Sequence, residues 1–269
     1  MSVPRRIIFW LCVVIAAAAA GAAVFYVASR QSKENDYEQL QQQVIAQQQD
    51  ETLSAAAPSQ TVSPAYSETD GAEETVFVSP VDFDALQAVN PDVYAWIEIP
   101  DTDVSYPVVQ HADDISYYLT YSYDNQYSVL GSIFSEPGSA KDMSDFNTVI
   151  YGHNMNDGSM FGCLKSFRDE EYLSAHRDVI IYPPDAPYTY RIFAAVTYTN
   201  DLISAAFDDS TPEGRQAFLD SVTETRDLNS HVTDDIDVTT DDHILTLSTC
   251  MGDSSKRFLI EAVLTDIDE

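Results

Sequence analysis

His243-Ile-Leu-Thr-Leu-Ser-Thr-Cys250 and Arg257-Phe-Leu-Ile-Glu-Ala-Val-Leu264 are two runs of strand-forming residues separated by six positions that include Gly252. Two such runs with a short glycine-containing connection read as an antiparallel pair. Cys250 closes the first run and Arg257 opens the second, so both side chains emerge at one end of the sheet, within reach of each other. A cysteine beside a fixed positive charge ionises more readily, and the thiolate is the nucleophilic form. Arginine stays protonated and cannot act as a base, but its donors suit an acyl oxygen on which negative charge develops. A proton carrier is still needed.

His153 is the best placed of five histidines. Thr148-Val-Ile-Tyr-Gly-His153 reads as a strand that stops at Gly152, which leaves the imidazole at a strand end, where loops carry chemistry. Asn154 to Gly158 form a turn, and Met160-Phe161-Gly162 leads into an apolar stretch around Leu164 and Phe167. His111, His176, His231 and His243 lack such a setting. Singly, each residue has an ordinary reading: a packed thiol, a loop histidine, a surface arginine. The weight lies in the three together.

Outward from this pair, six more strand-like runs precede it: Trp96–Ile99, Val104–Val109, Gly131–Phe134, Thr148–His153, Val179–Tyr182 and Thr189–Tyr198. Eight runs imply a closed barrel or a sandwich. Asp82 can cap a short helix from Phe83 to Val89. A second helix is predicted after the sixth run: Ser210 or Thr211 caps it, Pro212 sits in its first turn, Glu213 completes a possible capping box, and Ala217, Phe218 and Val222 form its apolar stripe.

Ile7 to Ala28 are 22 residues without a charge, about 33 Å as a helix and enough for a ~30 Å hydrocarbon core. Arg5 and Arg6 before it keep the N-terminus cytoplasmic and send the rest outside. A cleaved signal peptide is the competing reading, but the run is longer than the roughly 7 to 15 residues of such a segment and ends in Val24, Phe25, Tyr26 and Val27. The expected organisation is a cytoplasmic stub and transmembrane anchor over 1–30, a polar flexible stalk over 31–75, and one domain over 76–269. In the stalk, Tyr37, Leu40 and Val44 recur at helical spacing, but the surrounding glutamines leave that face thin.

The net charge is −31, of which −26 falls on residues 76–269. Such a surface repels phosphate backbones and excludes nucleic acid as a partner. Three cysteines, Cys12, Cys163 and Cys250, form neither a disulfide framework nor a zinc site. The acidic pairs lack EF-hand spacing, so no metal and no cofactor are expected.

Taken together, Thr246-Leu-Ser-Thr-Cys250, Arg257, and Val149-Ile-Tyr-Gly-His-Asn-Met155 with Met160-Phe161-Gly162-Cys163-Leu164 behind it resemble the sortases, membrane-anchored cysteine transpeptidases of Gram-positive bacteria, and class B most of all. Asn90-Pro91-Asp92, Tyr106-Pro-Val-Val-Gln110, Tyr117-Tyr118-Leu119 and Gly131-Ser-Ile-Phe134 support the match, which covers roughly residues 80 to 265. The resemblance implies a mainly β fold, an eight-stranded sortase-type barrel with short N-terminal helices and a helix between the sixth and seventh strands, preceded by one transmembrane helix. It implies Cys250 as nucleophile, His153 as acid and base, Arg257 as oxyanion stabiliser, and Leu119, Ser248 and Thr249 as substrate-binding residues. The implied partners are a sorting-signal peptide of secreted surface proteins and an amine of peptidoglycan or of a pilin. Ile115 stands where some members carry Asn, which bears on substrate preference. A non-catalytic membrane-tethered binding module with an unreactive thiol, and a peptidase that uses water as acceptor, are the alternatives.

Overall fold

Strand alternation along the last two runs sets the architecture, because successive side chains point to opposite faces of a sheet. In the computed structural model, which describes residues 5–55, 79–225, 227–251 and 255–267, β8 (Ile244–Cys250) and β9 (Lys256–Ile267) pair antiparallel, with Cys250 directly opposite Arg257. Leu245 and Leu247 of β8 and Phe258, Ile260 and Ala262 of β9 face the main core. Ile244, Leu259 and Val263 face a second apolar layer on the other side.

The remaining strands are β1 (Val93–Glu98), β2 (Ser105–Val109), β3 (Ile133–Ser135), β4 (Asn147–Gly152), β5 (Asp178–Tyr182), β6 (Tyr188–Thr199) and the two-residue β7 (His231–Val232). Their order is β5-β1-β2-β3-β4-β8-β9-β6, and β5 pairs again with β6. That last pairing closes eight strands into a barrel and decides against a sandwich; β7 only extends the outside of β6. Closure removes the exposed strand edges that an open sheet would leave. All eight predicted runs are barrel strands, displaced at their ends by a few residues.

α2 (Phe83–Val89) starts at Asp82, whose carboxylate accepts the Ala85 amide at 2.9 Å. Between β6 and β8 lie α4 (Ile203–Ala206) and α5 (Pro212–Thr223); α3 (Glu170–Ala175) precedes β5. Thr211 is the cap of α5 and accepts the Gly214 amide at 3.1 Å. Glu213 therefore sits one position too early for the reciprocal bond of a capping box, and its carboxylate instead favours the positive end of the helix. Phe218, Leu219 and Val222 of α5 cover Phe146, Val149, Phe193 and Leu259 on the outer face of the barrel.

Helix runs on from the expected anchor into the first part of the expected flexible stalk. α1 (Arg5–Ala55) is one unbroken helix. Its apolar part is exposed and is long and apolar enough to cross a membrane. Beyond it, Tyr37 and Val44 are buried against the barrel, so the first half of the predicted stalk is a docked helix. The stripe that looks thin by composition is sufficient because a tyrosine and aliphatic side chains meet a preformed surface, and tertiary packing contributes more helix stability than propensity does. The rest of the predicted stalk, 56–75, lies outside the described residues, as does Gly252 in the β8–β9 connection.

Candidate active site

Cys250 is the last residue of β8, on the outward register with Thr246 and Ser248. Its neighbour across the sheet is Arg257, whose Nη1 donates to the Cys250 sulfur at 2.6 Å. The pairing follows from the register, since a connection this short leaves the two strand ends opposed. Asn154 adds a second restraint: its Nδ2 donates to the Cys250 carbonyl oxygen at 2.7 Å.

His153 follows β4, which runs parallel beside β8 with Gly152 level with Thr249. The parallel register is what carries the histidine to the same rim as the cysteine, 97 positions further along the chain. Gly152 is required there: a Cβ would lie 2.6 Å from the Ile133 side chain and from the Phe161 ring. The loop after His153 folds back so that the Phe161 amide donates to the His153 carbonyl at 3.0 Å.

The imidazole Nε2 lies 2.8 Å from the Leu119 carbonyl oxygen. A carbonyl oxygen only accepts, so Nε2 carries a hydrogen whether the ring is neutral or cationic, and Nδ1 is the nitrogen that takes and gives a proton. Leu119 ends a 3₁₀ turn, Tyr117–Leu119, and its side chain is 39% exposed.

One groove of about 150 Å³ is lined by Cys250, His153, Arg257, Leu119 and Ser248, together with Ile115, Ser116, Phe134, Tyr151 and Leu202. Five of the six residues singled out in the sequence thus meet at one place. Thr249 does not. Neighbours on a strand face opposite ways, so Ser248 and Thr249 cannot both reach the groove; Thr249 is buried and its hydroxyl donates to the Gly152 carbonyl at 2.8 Å. It ties β8 to β4 and so supports both strand ends from behind.

The roles of three contributors were not legible in the sequence. Tyr151, on the outward face of β4, donates its hydroxyl to Glu136, whose other oxygen accepts Ser204 Oγ at 2.5 Å. Burial and the adjacent Glu136 carboxylate push the Tyr151 phenol well above its ordinary range. Glu136 thereby fastens α4, and with it Leu202, to the barrel wall as one side of the groove. Asn154 stands in the turn after His153 and in the Val149–Met155 motif, neither of which assigns it a bond to the Cys250 carbonyl. The Leu119 carbonyl is main chain and carries no signal at all.

The geometry narrows the family. The sortase domain model matches residues 97–265. This chain belongs to the sortase family. Sortase B of Listeria monocytogenes is 36% identical over 167 residues, which span 61% of this chain and 65% of that protein. The crystal structure of sortase B from Bacillus anthracis in complex with AAEK1 is 34% identical, covers 68% of this chain and 84% of that one, and superposes with a TM-score of 0.61. The Staphylococcus aureus sortase B–substrate complex, 24% identical, shares the fold with a TM-score of 0.68 over 88% of this chain and 97% of that one. The relatives are class B sortases, in agreement with the resemblance drawn from the motifs.

Proposed function

We propose that this sortase is a membrane-tethered cysteine transpeptidase. The observation that carries the reading is the meeting of Cys250, His153 and Arg257 on one groove, with the guanidinium 2.6 Å from the sulfur. Cys250, as thiolate, attacks the carbonyl carbon of a peptide bond in a sorting signal. The carbonyl oxygen takes up the negative charge and Arg257, already at the sulfur, is within reach of it. His153 gives its Nδ1 proton to the leaving amine, the C–N bond breaks, and a thioacyl enzyme remains. An amine of peptidoglycan or of a pilin then attacks the thioester; neutral His153 takes its proton, and Cys250 leaves as thiolate.

The walls of the groove suit an extended peptide. Leu119, Ile115 and Leu202 offer apolar surface, and Ser116 and Ser248 offer hydroxyls. The apolar part of α1 supports a single membrane span, and the arginines ahead of it support a cytoplasmic N-terminus with the barrel outside.

A peptide-library cleavage assay with the wild-type protein and Cys250→Ala tests the reading. The expected result is cleavage by wild type alone, with hydroxylamine diverting the intermediate to a hydroxamate. Equal cleavage by Cys250→Ala would dispose of the enzyme. A wild type that cleaves yet yields only the acid with hydroxylamine present would make it a peptidase.

A further inference from the structure

Beyond its apolar span, α1 touches the segments that hold His153 from two sides. Arg30 pairs with Asp157 in the loop that follows the histidine. Tyr37, 4% exposed, donates its hydroxyl to the Gly131 carbonyl at 2.9 Å. Gly131 has φ +59°, and a Cβ there would fall 2.9 Å from the Leu119 carbonyl oxygen and 3.1 Å from His153 Cδ2. The residue that receives Tyr37 therefore packs against both the imidazole and the oxygen that orients it. Lys33 Nζ, 2.5 Å from Asp124, grips the connection between Leu119 and Gly131.

A second path reaches the other flank. The Tyr37 ring meets Tyr106 edge to face, with centroids 5.6 Å apart, and the Tyr106 hydroxyl accepts the Met160 amide at 3.0 Å. Met160 lies beside Phe161, whose amide holds the His153 carbonyl. Exposed ion pairs restrain weakly; a buried, hydrogen-bonded tyrosine restrains more. Burial raises the Tyr37 phenol above its ordinary range, so it stays a donor at any working pH.

We propose that Tyr37 is a positioning residue for His153, acting through Gly131, so that the helix leaving the membrane is a working part of the active site as well as a tether. The inference rests on His153 being the acid and base of the proposed reaction. It implies that a barrel cut free of residues 30–48 holds its imidazole loosely.

The test uses the full chain in detergent micelles with ring-¹⁵N histidine, His153 being assigned by its loss in His153→Gln. Tyr37→Phe removes the one hydroxyl. Gln48→Ala is the control, since it removes another α1 contact, from Gln48 Nε2 to Glu98 Oε2 at 2.9 Å, made to β1 and away from both Gly131 and Tyr106. Wild type and Gln48→Ala should show the hydrogen on Nε2 of His153. Tyr37→Phe should show mixed tautomers and a kcat about tenfold lower, with KM within about twofold, on the peptide the library assay selects. Unchanged ring shifts in Tyr37→Phe, or the same change in Gln48→Ala, would overturn the proposal. If Tyr37→Phe disturbs the other four histidine signals, 4-aminophenylalanine at position 37, which restores a donor on the same ring, is compared with it, and His153 signals that stay as in Tyr37→Phe would overturn the proposal. The ring-nitrogen signals need no turnover, so failure of the coupling and failure of the transpeptidase reading are told apart.

Discussion

Arg257 Nη1 lies 2.6 Å from the sulfur of Cys250, and the two residues face each other across the last pair of the β8–β9 register. Backbone pairing sets the two residues opposite each other, and the Arg257 side chain closes the remaining distance to the sulfur. A planar fork can hold the sulfur and an acyl oxygen together, whereas a lysine ammonium is a single point charge on a flexible four-carbon stem. Arg257→Lys is therefore expected to keep the fold and lower kcat/KM by about a hundredfold or more, as removal of an oxyanion donor does. Steady-state cleavage kinetics beside a thermal melt check this; near wild-type turnover would refute it.

Ser248 and Thr249 separate by face. Ser248→Ala should leave the melting temperature in place and raise KM, since Ser248 lines the groove. Thr249→Val removes the hydroxyl's bond to the buried Gly152 carbonyl and should cost about 0.5 to 1.5 kcal/mol of stability. Chemical denaturation of both variants reads the contrast, and the reverse pattern would show the strand register to be shifted by one.

Glu136 joins Tyr151 of β4 to Ser204 of α4. Glu136→Ala releases the wall that carries Leu202, and is expected to raise KM several-fold while the rate of Cys250 alkylation by iodoacetamide stays as in wild type. A loss of alkylation instead would place Glu136 with the nucleophile.

Glu261 is fully buried on the outer face of β9, and burial pushes its carboxyl up to about 8. The Thr246 hydroxyl lies 2.6 Å from Glu261 Oε2 and 2.9 Å from Asn147 Oδ1. One hydroxyl has one proton, so a protonated Glu261 donates to Thr246 and Thr246 donates to Asn147. The unfolded chain releases this proton near the ordinary carboxylate value and the folded chain near pH 8. Between those values the native state binds more protons, and the stability from this group falls as pH rises. Glu261→Gln does not titrate. The melting temperature of wild type minus that of Glu261→Gln should therefore fall from pH 5 to pH 8; a flat difference would mean an ionised Glu261.

The strands, and the meeting of Cys250 with Arg257, were legible for a local reason. Alternating side chains mark each barrel strand, and the six residues between Cys250 and Arg257 are few enough to return the chain with the two opposed. The Tyr-Gly-His stretch announced a strand end because Gly152 breaks the alternation. The caps at Asp82 and Thr211 were equally near in sequence to what they cap.

What the chain's order of residues determined by itself was therefore the set of strands, the apolar helix and the strand-end positions of Cys250, His153 and Arg257, since each depends on neighbours a few positions away. Tertiary structure alone decided that Thr249 faces inward, that Glu261 is sealed from water, that a main-chain oxygen of Leu119 orients His153, and that Tyr37 lands on Gly131. These depend on barrel closure and helix docking, which bring together groups 34 and 94 positions apart, and no local pattern encodes such a meeting.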